Sequence, residues 1–132
     1  MTKEGEGMRD VTLMIPQRGG AVPEVWEALA AADINVEAAV SFSREHHRVV
    51  HVVVEDAVAQ RTQDVFAAAG LLVVDEREVL IVPVEDHPGG LAAVARTAYD
   101  ANAEVYLLSM ATGDRAMLGV VNLEAAKEAF GL

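Results

Sequence analysis

The residues best suited to chemistry lie in one short stretch, Glu85-Asp86-His87-Pro88-Gly89-Gly90-Leu91. An apolar run ending near Val84 or Glu85 reads as a strand that delivers Asp86 to the end of a sheet. Pro88 stiffens the turn, and Gly89 and Gly90 let the backbone come close to whatever sits there. Leu91, Val94, Ala95 and Ala98 follow at helical spacing. The first N–H groups of a helix have no intrahelical partner and carry the positive end of its dipole, which suits a carboxylate. The Asp86 carboxylate beside them can accept hydrogen bonds from an ammonium group. A ligand with both charges, of which an amino acid is the simplest, would find each one answered. His87 could donate to such a ligand or face solvent as a turn residue. The competing reading makes Asp86 an ordinary N-cap in a Pro-Gly turn that binds nothing.

Other chemistries find less support. The chain has no cysteine, so disulfides, thiol nucleophiles and thiolate metal ligands are excluded. His46, His47 and His51 lie close in sequence. His47 and His51 share a strand face, but four extended residues span about 13 Å, too far for both to bind one ion directly. No metal and no cofactor is expected. No Ser-His-Asp arrangement and no nucleotide-binding glycine loop can be assembled, so catalysis is not expected.

Composition narrows the partners. The 132 residues carry a net charge of −11, with 21 acids against 10 Lys and Arg and no basic cluster, which argues against nucleic acid. The start, MTKEGEGMRD, is polar and acidic where a secretory signal would be basic and then apolar. No apolar run approaches the ~18 residues of a membrane span. The expectation is a cytoplasmic protein with no membrane contact, and the 52 % hydrophobic content is enough to bury a core.

Two periodicities alternate along the chain. Residues 11–16 read as a strand, and Val22, Val25, Trp26 and Leu29 as one helix face. Residues 34–42 and 47–55 form a strand pair about a charged turn. A second helix carries Val58, Val65, Phe66 and Ala69 and ends at Gly70, and 71–76 read as a fourth strand. The order then begins again. Residues 79–84 read as a strand, the helix from Leu91 follows, 104–111 and 115–121 pair, and Asn122 caps a helix with Leu123, Ala126 and Phe130. Val22 and Leu91, Val25 and Val94, Leu29 and Ala98, Val36 and Val105, and Val49 and Leu118 all stand 69 apart, which marks an internal repeat.

The expected fold is therefore α+β: an N-terminal tail at 1–10, then two ferredoxin-like βαββαβ repeats at 11–77 and 78–132, with helices on one face of antiparallel sheets. The second repeat lacks its last strand. In this topology that loss leaves 79–84 as an apolar sheet edge, for which a second copy of the chain is the simplest cover.

Two consecutive units of this order, with D-x-P-G-x-L at Asp86–Leu91 and Ile-Asn-Val at 34–36, resemble a tandem ACT domain protein from Val11 to Phe130. The resemblance implies a small regulatory module that binds amino acids or other small metabolites. It also implies pairing of repeats side by side through their second strands. The loop of one repeat would then face the second-strand Asn of its neighbour, so Asp86, His87, Pro88, Gly89, Gly90 and Leu91 would share a pocket with Asn35 and Val36. A weaker second site would bring Gln17, Arg18, Gly19 and Gly20 to Glu104. That site departs from the family pattern, because it lacks the proline and has Gln17 for the acid and Glu104 for the Asn. The expectation is a regulatory amino-acid-binding homodimer, not an enzyme, acting on a regulated enzyme or regulator. Two alternatives stand beside it: a ligand-free dimerisation or interaction module, and an acylphosphatase-like hydrolase. For the latter, Arg18 beside Gly19 and Gly20 would serve as the phosphate loop, with Asn122 a poorly placed partner.

Overall fold

The computed structural model describes residues 7–17 and 21–132. The elements run β1 (Met8–Pro16), α1 (Ala21–Ala31), β2 (Ala38–Arg44), β3 (His47–Glu55), α2 (Asp56–Ala68), β4 (Leu72–Pro83), α3 (Gly90–Asp100), β5 (Val105–Ala111), β6 (Arg115–Val120) and α4 (Leu123–Ala129). They fall into two compact units. One spans residues 9–77; the other spans residues 78–132 together with Met8.

In the first unit the strand order is β2-β3-β1-β4, and β2 runs antiparallel to β3 with Val40 opposite His51. Alternation along β1 sends Val11, Leu13 and Ile15 to the helix-covered face, where they meet Val50, Val52 and Val54 of β3. Helix α1 buries Ala21, Val25 and Leu29, and α2 buries Ala59, Thr62 and Phe66. The α2 stripe differs from the expected one: Val58 and Val65 are only half-buried and Ala69 is exposed past the helix end. Helix α2 stops where Gly70 takes φ +75°, a conformation costly for other residues, and donates its N–H to Ala67 O at 3.0 Å.

In the second unit the strand order is β4-β6-β5, and both pairings are antiparallel, with Leu80 opposite Leu118 and Leu108 opposite Leu118. Leu80, Val82, Val94, Ala98, Leu118 and Ala126 form its core. The two first helices correspond position by position. α3 begins and ends 69 residues after α1, and Ala21, Val25 and Leu29 have Gly90, Val94 and Ala98 as their buried counterparts. The turns that follow match as well, Asp33 at φ +56° and Asn102 at φ +55°. Beyond that point the spacing shortens: β5 starts 67 residues after β2, β6 68 after β3 and α4 67 after α2.

Two expectations change. Residues 71–76 and 79–84 fall on one strand, Leu72–Pro83, because Asp75-Glu76-Arg77-Glu78 contains no glycine or proline and nothing interrupts the extended backbone. Strand β1 begins at Met8, so Met8–Asp10 are strand and not tail. Strand β4 stands between β1 and β6 in the sheet order, and its Leu80–Pro83 stretch pairs with Arg115–Leu118 of β6. Among the described residues, β2 and β5, the second strands of the two repeats, end the sheet order and have a neighbour on one side.

Candidate functional site

The loop from Glu85 to Gly89 is built by its own backbone. Val84 donates its N–H to Asp114 O at 2.9 Å, which ends β4 against the β5–β6 turn. The His87 N–H then bonds Glu85 O at 2.9 Å and the Gly90 N–H bonds His87 O at 3.0 Å, two tight turns in succession. Both glycines are obligatory, for different reasons. Gly89 sits at φ +94° with open space around its α-carbon. At Gly90 a Cβ would lie 2.0 Å from the carbonyl oxygen of Glu85, so the chain can fold back only where there is no side chain.

Helix α3 starts with Gly89 at its N-cap, and no side chain caps it. The competing reading of Asp86 as an ordinary cap therefore does not apply. Asp86 is exposed at the mouth of the loop, beside a helix start whose N–H groups no side chain has claimed. Leu91 is 39 % exposed and points away from the core that it was expected to join; Gly90 takes that buried position instead. His87 is engaged on both ring nitrogens, Nδ1 with Pro88 O at 2.8 Å and Nε2 with a Glu85 carboxylate oxygen at 2.5 Å. The Pro88 carbonyl, and after it the Glu85 carboxylate, favour the protonated ring and raise its pKa.

Asn35 and Val36 precede β2 instead of opening it, because the strand starts at Ala38. The left-handed Asp33 turns the chain, the Ile34 N–H bonds Leu29 O at 3.0 Å, and the Glu37 N–H bonds Val53 O at 2.8 Å. Asn35 is left exposed with its amide 3.4 Å from the Glu37 carboxylate, while Val36 packs on the first core.

At the weaker site, Arg18, Gly19 and Gly20 lie outside the described residues. Gln17 serves the fold, since its side-chain amide donates to Glu45 O at 2.9 Å and His47 O at 3.0 Å and so ties the end of β1 to the β2–β3 turn. Glu104 takes φ +57° and accepts the Val121 N–H at 2.9 Å. It borders an open groove of about 880 Å³ between α3 and β5, with Ala92, Arg96, Tyr99, Val105 and Leu108. The Arg96 guanidinium lies 5.3 Å from the Tyr99 ring centre.

Asp10, Thr12 and His51 form a polar cluster that sequence reasoning missed. Asp10 is 2 % exposed and its Oδ2 lies 2.8 Å from His51 Nδ1, with the Thr12 hydroxyl 3.2 Å from the same nitrogen. Phe42 stacks on the ring at 6.1 Å. The signal was present: Asp10 and Thr12 alternate onto one face of β1, once the strand is extended back to Met8. Among the described residues no group of three His, Cys, Asp or Glu could hold a metal ion, and no helix is long and apolar enough to cross a membrane.

No protein-family model and no curated protein matches this chain in sequence. Solved structures do match in fold. A Bacteroides thetaiotaomicron protein superposes with a TM-score of 0.80 at 15 % identity, over 93 % of this chain and 85 % of that one. The ligand-free regulatory subunit of aspartate kinase from Thermus thermophilus gives 0.69 at 18 % identity, over 94 % and 93 % of the two chains. A putative C-terminal regulatory domain of aspartate kinase from Porphyromonas gingivalis gives 0.61 at 14 % identity, over 96 % and 87 %. Six strands and four helices arranged like these structures make the fold α+β and ACT-like.

Proposed function

We propose that the chain is a regulatory, non-catalytic protein that binds an amino acid at the Glu85–Leu91 loop. The observation that carries the reading is an exposed Asp86 with no capping duty beside a helix start that no side chain caps. The ligand carboxylate takes the N–H groups of Leu91 and Ala92 in the first turn of α3, and its ammonium takes Asp86. Gly89 and Gly90 keep that approach clear, and Pro88 fixes it. Similarity in fold to proteins described as regulatory subunits and domains of aspartate kinase supports a regulatory role and a regulated enzyme as partner.

The free sides of β2 and β5 allow second strands of two copies to pair. In such a homodimer Asn35 and Val36, at the foot of β2, supply the wall that faces the loop, and the first-repeat loop with Glu104 forms the weaker counterpart. The apolar residues along β5, Val105, Tyr106, Leu108 and Met110, are exposed and favour an edge that is covered in the working protein.

A thermal-shift screen against the twenty amino acids tests the reading. A ligand bound by the folded state alone raises apparent stability by RT ln(1 + [L]/Kd), about 2.7 kcal/mol at a hundredfold excess over Kd. One amino acid or a related group should raise the midpoint of the natural protein and leave Asp86→Ala unmoved. No shift at millimolar concentration from any of the twenty would favour the second reading, a docking module that binds no metabolite.

A further inference from the structure

We propose that His87 is a proton-operated clasp that holds the Glu85–Gly90 loop closed and lets it loosen as the pH rises. This regulation rests on the loop being the ligand site, but the clasp itself is defined without any ligand. The geometry carries it. His87 Nδ1 lies 2.8 Å from Pro88 O and Nε2 lies 2.5 Å from the Glu85 carboxylate, two groups that accept hydrogen bonds. A neutral imidazole has one N–H and can satisfy only one of them; the imidazolium donates to both. The two anchors also stand on either side of the turn, one at the end of β4 and the other a single residue before the left-handed Gly89, so a doubly bonded ring spans the loop.

The Pro88 carbonyl and then the Glu85 carboxylate raise the histidine pKa, and desolvation opposes them. Glu85 is the charged side chain that bears on the ring, and no charge from another element contributes to the shift. The sign follows. A pKa raised in the folded state favours the closed loop fully below the ordinary value of about 6.5, and that preference is lost as pH climbs through the folded-state midpoint. Closed, the loop holds its two backbone turns and presents Asp86 beside the start of α3. Open, one anchor is gone.

NMR titration of the ligand-free protein tests the clasp. The ring of His87 should carry protons on both nitrogens below its midpoint, and that midpoint should lie above the ordinary histidine value of about 6.5. Glu85→Gln, which keeps shape and removes the charge, should lower it. The amides of Asp86–Leu91 should titrate with His87 in the natural protein and lose that step in His87→Asn. A midpoint at or below the ordinary histidine value, or one unmoved in Glu85→Gln, would overturn the clasp whether or not any amino acid binds. Failure of every amino acid to bind, with the titration as described, would remove the ligand site and leave the clasp standing.

Discussion

Two adjacent glycines separate two kinds of backbone demand. Gly89→Ala places a side chain at φ +94° with nothing near it, so it should cost about 1–2 kcal/mol from the left-handed conformation alone. Gly90→Ala instead drives a Cβ toward Glu85 O, where the loop or the helix start must shift, at about 1–3 kcal/mol for overpacking. The two differ in spectrum more than in cost: denaturant unfolding gives the stabilities, and only Gly90→Ala should displace the amide resonances of 84–86. At this scale the loop was legible in the sequence, since Pro, Gly and Asp announce a turn by their conformational limits. The partners of the side chains were not. That Asp86 is no cap, that His87 is held on both sides and that Asp10 meets His51 all depend on where the backbone carries residues that are not sequence neighbours.

Among the elements, the repeat was the most legible feature, because the buried stripe Ala21, Val25 and Leu29 recurs as Gly90, Val94 and Ala98. Strand ends were less so. Extended backbone runs through charged residues when no glycine or proline intervenes, which is why Leu72–Pro83 is one strand. Asn35 fell outside β2 because Asp33 and the bond from Ile34 to Leu29 O hold the approach in a turn. The cap of α4 was read directly: Asn122 Oδ1 accepts the Ala125 N–H at 3.2 Å. Asn122→Ala should therefore destabilise by about 0.5–2 kcal/mol in thermal unfolding, and Asn122→Asp should recover most of it.

For the molecule as a whole, the second strands are the places where another copy can add, since β2 and β5 each have one neighbour. The sequence pointed to a second copy at 79–84; in the sheet Leu80–Pro83 pairs with Arg115–Leu118 of β6. Met110, 50 % exposed on β5, is the residue to change. Lysine blunts strand edges, so Met110→Lys together with Val105→Lys should convert a dimer to a monomer in light scattering and move folding stability by no more than about 0.5 kcal/mol. A natural protein already monomeric at micromolar concentration would contradict pairing through β5.

The central claim is that Asp86 and the start of α3 answer the two charges of one small ligand. Its most direct test is amide chemical-shift mapping while the amino acid that scores highest in the thermal screen is added. The account predicts saturable shifts concentrated at Asp86–Leu91, with Asn35 and Val36 moving alongside them, and their loss in Asp86→Ala. Saturable shifts elsewhere, with Asp86–Leu91 unmoved, would contradict it.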